Sequence, residues 1–301
     1  MGVHPRDYLY VDVHGVRLVA NLSKGKEMNE TLELLDEVIS LLEASSAKTR
    51  AIQRRLAKKL KAQQKIAERR FKGELAASFD ELGKQAEEAF LDNADKYVPD
   101  EVVQEAAEDG QLIASIMAKL KVSEFVAREL LPKYEAEYLA ILKGTYNDVA
   151  TTLNIGLNLP DPVMRNILAE GGKRVGLLDL EEGTRAKLFE ILEEGRSQGL
   201  GSDALARLIR DEIPAGPWSS STIRAEVIAR TETKYAQNMS AMESYRNSPA
   251  VTGVDLINAG QDPCPICQDI AANGPYSIDT AEGIDLHPNC LCEWSPHLGE
   301  L

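Results

Sequence analysis

Every cysteine of this 301-residue chain lies between Cys264 and Cys292. Cys264-Pro265-Ile266-Cys267 is followed, after a loop holding Gly274 and Pro275, by His287-Pro288-Asn289-Cys290-Leu291-Cys292. Two thiols with two residues between them, in a turn that Pro265 helps to fix, can grip one ion from a single knuckle. The second cluster arrives from the far end of a loop that holds no other Cys or His. It would close a tetrahedron of three sulfurs and one imidazole nitrogen, or of four sulfurs. Zinc is therefore the expected cofactor, with Cys264, Cys267, His287, Cys290 and Cys292 as candidate ligands. Five candidates for four positions leave one over. Spacing alone does not choose between Cys290 and Cys292, which stand just before or at the start of a final strand, Leu291 to Trp294, and one of the two is expected at the ion. A pair of disulfides, or plain buried thiols, would also accommodate these residues. A closed Cys/His site is a staple, since catalysis needs an open coordination position, and His287 is read as structural.

Compartment bears on that choice. The N-terminus, Met1-Gly2-Val3-His4-Pro5-Arg6-Asp7, lacks the apolar core of a signal peptide, and the uncharged run Val149 to Pro160 is too short to span a bilayer. The expectation is a protein made in the cytoplasm, with no membrane span, where clustered thiols favour metal over disulfide.

The rest of the chain reads as mainly α. Hydrophobic residues make up 44% and aromatics only 5%, which disfavours a sandwich or barrel. Tyr8 to Ala20 alternates around His14-Gly15 as a small β-hairpin. Asn29 is placed to cap a helix through about Ala44, with Ser45-Ser46 as a break or soft joint. A long helical rod then follows to about Tyr97. Between Lys48 and Lys72 stand eleven Lys/Arg against one acid, Glu68, a local balance of +10 that leaves −24 for the remainder of a chain whose net charge is −14. Arg54, Arg55, Lys58, Lys59, Lys61, Lys65, Arg69 and Arg70 are candidates to meet phosphates or an acidic partner, against the plainer reading of a solvated helix face. No aromatic residue precedes Phe71 in this stretch, so base stacking is not expected and any DNA contact would be non-specific.

Pro99-Asp100 ends the rod, and helices are expected from Asp100 to about Leu120 and from Ser123 to Lys143, the second kinked at Pro132. Asn154 to Pro162 is a loop. A short helix to Ala169, an amphipathic helix Glu181 to Gln198 ending at Gly199, and a helix Ala204 to Ile213 capped by Ser202 or Asp203 lead to a helix from Ser221 to about Tyr245. Gly199-Leu200-Gly201-Ser202 lacks the Lys and the preceding strand of a phosphate loop and reads as two helix caps. A strand within Pro249 to Ala259 precedes the knuckle. The resulting division is 1–22 hairpin arm, 23–98 rod with the basic segment, 99–158 helical bundle, and 159–301 α+β domain with a small zinc-stapled sheet.

The Ser221 helix carries Ala229-Arg230-Thr231-Glu232-Thr233 and, further on, Asn238. Together with Cys264 to Cys267 and His287 to Cys292, in that order, this resembles the phage Mu F-like minor head proteins, the phage head morphogenesis family. The likeness is close over about the last eighty residues, and Leu291 stands where that family usually has Arg. The resemblance implies a minor capsid protein that binds the portal, and further the major capsid or scaffold protein and packaged DNA. It would sit in the virion head after assembly in host cytoplasm, in multiple copies per vertex, aiding head morphogenesis, DNA packaging or delivery without catalysis. Arg230, Glu232 and Asn238 would then hold the fold, Arg230 in a carbonyl cage or Glu232 on backbone N–H groups of the knuckle loop. A zinc-knuckle nuclease of the His-Asn-His kind is the alternative. It would need a further helix of metal ligands after His287, where only His297 and a few residues remain. A DNA-binding protein using the basic rod is the third reading, without a recognisable base-reading module.

Overall fold

The computed structural model describes residues 8–13, 16–21, 25–97, 106–156, 160–171, 177, 179–259 and 263–298. Its organising element is α1, Gly25–Leu91, a single helix of 67 residues that runs through Ser45-Ser46 without a break. At 1.5 Å per residue it is about 100 Å long. Leu56, Leu60, Gln64, Ala67, Phe71, Leu75, Phe79, Leu82, Ala86 and Phe90 recur at three- and four-residue intervals along one buried face. Neither Gly73 nor Gly83 bends the rod back. Gly83 instead lets another helix approach, because a Cβ there would lie 2.4 Å from the Arg210 carbonyl oxygen. The helix closes at Leu91, earlier than the expected Tyr97, and a 3₁₀ turn, Ala94–Lys96, follows.

The expected start of the next helix at Asp100 lies outside the described residues; α2 is Ala106–Leu120. After Lys121, in the left-handed region at φ 46°, come α3, Val122–Phe125, a π-helical turn, Val126–Leu130, and α4, Leu131–Leu153. Pro132 thus sits in the first turn of α4, not as a kink within one helix from Ser123. Lacking an N–H, it suits an N-terminal position, and the π turn just before it absorbs the irregularity. α4 also runs ten residues beyond the expected Lys143, ending where Asn154 turns left-handed at φ 57°.

α5 is Asp161–Gly171, α6 Leu180–Ser197 and α7 Ser202–Ala215. Gly199 at φ 63° closes α6, with Leu200 N–H on the Gly195 carbonyl and Gly199 N–H on that of Arg196, the pattern of a left-handed C-cap. α7 is capped by Gly201 with no side-chain bond, so neither Ser202 nor Asp203 serves. α8, Ser221–Arg246, starts where the Ser220 hydroxyl accepts from Ile223 N–H. It leads to β3, Val251–Ile257, α9, Pro265–Ala272, α10, Ile278–Glu282, and β4, Glu293–Leu298. β3 and β4 pair antiparallel, Ile257 opposite Glu293 and Leu256 opposite Trp294. The final strand therefore begins after Cys292, because Cys290 to Cys292 turns inward before the ladder starts. At the other end of the chain the backbones of β1, Tyr8–Val13, and β2, Val16–Asn21, pair antiparallel.

Two buried clusters hold the helices together. Phe71, Tyr134, Leu188 and Ile228 belong to one; Leu56, Leu60, Tyr245, Val254, Trp294 and the three buried cysteines belong to the other. Residues from the segments expected as rod, bundle and C-terminal domain thus meet in shared cores. α8 contributes to both clusters and is buried on most of its surface.

Candidate metal centre

All four cysteines are free thiols, so the disulfide alternative is not realised. Two groups of donor atoms form, Cys264, Cys267 and His287, and Cys267, Cys290 and Cys292, each with its atoms within 4.8 Å of one another. Cys267 belongs to both. Cys290 and Cys292 both precede the final strand, and both sit against Cys267.

Distances separate their roles. His287 Nε2 lies 3.3 Å from Cys264 Sγ and 3.5 Å from Cys267 Sγ, and Cys267 Sγ lies 3.6 Å from Cys290 Sγ. Edges of about 3.5–3.8 Å are what a tetrahedron with metal–sulfur bonds of about 2.3 Å and metal–nitrogen bonds of about 2.0 Å requires. Cys292 instead donates its backbone N–H to Cys290 Sγ at 3.4 Å, and its thiol faces Asn258 Oδ1 at 3.8 Å. His287 Nδ1 is 2.8 Å from the Pro288 carbonyl oxygen. That bond places the proton on Nδ1 and leaves the Nε2 lone pair directed at the sulfurs, the tautomer a metal needs.

Local structure prepares the knuckle. Cys264 caps α9, Pro265 fills its first position, and Cys267 N–H donates to Cys264 Sγ at 3.4 Å. This amide bond holds the Cys264 thiol below its ordinary pKa. Burial pushes the Cys267 and Cys290 thiols up. Buried thiols resist becoming anions by themselves, and a bound cation is what lets several ionise together. The donor set and its geometry fit a divalent, thiophilic ion.

α8 holds the second cluster in place. Thr231 Oγ1 accepts from Asn289 N–H at 2.9 Å while donating to the Val227 carbonyl. Arg230 donates to Asn289 Oδ1 and to Glu226 Oε1, both at 3.0 Å, and Lys72 on α1 reaches Glu226 Oε2 at 2.6 Å. Asn289 itself is left-handed at φ 64°, a conformation that Asn tolerates better than most residues. Two turns on, Asn238 donates to the Cys292 carbonyl and accepts from Trp294 N–H, each at 3.3 Å. Tyr245 OH then donates to the Trp294 carbonyl at 3.1 Å.

Arg230 and Asn238 are therefore brought to the Cys/His segment, Arg230 on a side-chain oxygen and not in a carbonyl cage. Glu232 meets a different helix. It is fully buried and accepts from Tyr134 OH of α4 at 2.6 Å; the loop amide it was expected to bind is taken by Thr231. Sequence reasoning missed the roles of Thr231 and Asn289, although both lie within the motifs. It also missed Lys234, 3% exposed, which pairs with Glu293 Oε2 at 3.2 Å and which no local pattern marks.

The basic candidates divide. Lys59 lies 3.7 Å from Asp148, and Arg70 pairs with Glu137 at 2.6 Å. Arg54, Arg55, Lys58, Lys61, Lys65 and Arg69 are exposed and have no carboxylate within 4 Å among the described residues.

The chain matches no protein-family model, no curated protein and no solved structure. Among the described residues no helix is long and apolar enough to cross a membrane.

Proposed function

We propose that this chain is a phage minor head protein of the Mu F-like kind, a non-enzymatic assembly component whose Cys/His cluster is a structural zinc staple. One observation supports this reading above the others: the motif helix holds the terminal His-Pro-Asn-Cys segment through Thr231, Arg230 and Asn238, and that segment meets the knuckle through His287 and Cys290. Motifs that recur together in a family of assembly proteins form one unit here. Cys264, Cys267, His287 and Cys290 would hold the ion, with Cys292 supplying an amide to the Cys290 sulfur. Bound zinc would supply a cross-link between α9 and the segment before β4. With four protein ligands no position stays open for substrate or water, which favours a staple over the nuclease alternative. His297, the other histidine nearby, is 2.9 Å from Asp255 across the β3–β4 ladder and joins no metal group.

The partners in this reading are the portal and the major capsid or scaffold protein, several copies per vertex, with the protein in host cytoplasm until it enters the head. The test is co-sedimentation of this protein with the portal of its own phage, co-expressed, with and without a chelator. Co-migration that chelation abolishes supports both the assembly role and the staple. Absence of association in metal-replete buffer, with the protein folded, overturns the assembly role.

A further inference from the structure

Six basic residues on α1, Arg50, Arg54, Lys58, Lys61, Lys65 and Arg69, recur at intervals of three or four and are all exposed. Such spacing puts them on one face of the helix. From Arg50 to Arg69 that face runs straight for about 28 Å. Among the described residues none of the six has a carboxylate within 4 Å, whereas basic residues elsewhere on the same helix do: Lys59 with Asp148, Arg70 with Glu137 and Lys72 with Glu226. Glu68, the single acid of this stretch, is occupied by the Gln64 amide at 2.6 Å. The stripe is therefore a row of uncompensated cations on a chain whose net charge is −14. Like charges at these intervals repel and destabilise a helix slightly, so nothing inside the fold rewards the arrangement.

We propose that this face of α1 binds the phosphate backbone of double-stranded DNA without sequence preference. Charge complementarity selects a polyanion, and the composition of the face selects which one. The exposed residues beside the cations are Ala51, Arg55, Ala62 and Ile66, and one aliphatic side chain without an aromatic is a poor set of anchors for a protein interface. Ile66 stands at the edge of the stripe, about 60° round the helix from Arg69. A surface helix that dips into a membrane would need its apolar side opposite the cations, and here that side is buried against α8 and β4. A single strand would require aromatic platforms, and the stripe has none. A straight, rigid row of long cationic side chains fits the backbone of a duplex, and the wide major groove of B-form DNA admits a helix better than the narrow one of duplex RNA. The acidic remainder of the chain does not cancel this field, because charges more than about 10 Å away are screened at ordinary salt.

The inference does not depend on the head-protein reading, and its test uses the isolated full-length chain without a portal. Fluorescence anisotropy with a short labelled duplex of mixed sequence is measured across a salt series. The expected binding weakens with salt, with a slope of log K against log [salt] near −5 if all six cations displace counterions. K58Q/K61Q/K65Q together should bring the slope to about −3 and weaken binding at every salt concentration. K59Q/R70Q, which removes charges that are already paired, should leave the slope unchanged. Circular dichroism checks that each variant is folded. No binding by the folded wild-type protein in about 50 mM salt overturns the proposal, as does a triple variant with the wild-type slope. Equal or tighter binding of duplex RNA overturns the choice of DNA, and capture of an acidic polypeptide without capture of the duplex overturns the choice of nucleic acid.

Discussion

Asn238→Ala tests whether α8 holds the Cys/His segment or merely lies against it. The Asn238 side chain, 6% exposed, makes two bonds to the chain that leaves the metal centre: its amide donates to the Cys292 carbonyl and its oxygen accepts Trp294 N–H, both at 3.3 Å. Truncation leaves one backbone acceptor and one backbone donor unpaired in a closed setting where Cys292 and Trp294 are 3% and 2% exposed. An unsatisfied buried backbone group costs about 1–3 kcal/mol, and bonds as long as these stand toward the weaker end. The expected loss is about 2–4 kcal/mol, measured by urea unfolding of metal-free, reduced protein. Asn238→Asp should be no milder, since it keeps the acceptor but loses the donor and buries a charge. Metal-loaded protein should show the same loss together with a weaker grip on the ion, because the segment that presents Cys290 is no longer pinned. A loss below about 1 kcal/mol for Asn238→Ala, with an unchanged metal affinity, would refute the argument that α8 clamps the centre.

Other consequences are equally direct. Titration with Co(II), read by its thiolate absorption, should give one ion per chain; Cys267→Ser should abolish it, since Cys267 belongs to both donor groups, whereas Cys292→Ser should retain a tetrahedral spectrum. Chelation should expose 251–298 to protease while α1, α4 and α8 stay resistant, and equal resistance with and without chelator would count against a staple. Gly73→Ala, with open space around the new methyl group, should stabilise by about 1 kcal/mol through helix propensity. Gly83→Ala should destabilise instead, because that methyl would meet the Arg210 carbonyl at 2.4 Å and the Pro214 ring at 2.6 Å and overpacking costs about 1–3 kcal/mol; thermal melts of the pair decide it. The Lys72 ammonium, and then Arg230, hold the Glu226 carboxyl below its ordinary 4.5. Because the unfolded chain binds that proton more readily, this contribution is complete above pH 4.5 and is lost as pH falls through the depressed value. Glu226→Gln should flatten the acid limb of a stability–pH curve.

Much of the candidate site was legible in the sequence because ligand chemistry is local. Cys264 and Cys267, with two residues between them on a Pro-stiffened turn, and His287 and Cys290 beyond a loop free of competing donors admit few arrangements that satisfy all of them. The helix carrying Arg230 and Asn238 was equally readable, since Ser220 caps it and no proline interrupts it. What failed was reasoning that extrapolated a regular element past its end. The final strand was drawn from Leu291, yet its ladder begins at Glu293. Glu232 was assigned to the knuckle loop from its place in the motif, yet it points to Tyr134, which arrives from nearly a hundred residues earlier. No pattern within α8 shows which of its faces meets α4 and which meets the loop.

The sequence by itself determined a mainly helical chain, the extent of α8, a Cys/His cluster built for a thiophilic ion, and the concentration of positive charge between Lys48 and Lys72. Each of these follows from short-range constraints: helical spacing, capping, ligand spacing and composition. Only the tertiary structure decided that α1, α4 and α8 share their cores, that Thr231, Arg230 and Asn238 fasten the terminal cysteine segment, and that Lys59, Arg70 and Lys72 find acidic partners while the stripe from Arg50 to Arg69 does not. Those outcomes depend on which face of each helix is buried against which neighbour. Burial area sets that choice over the whole chain, and no window of sequence contains it.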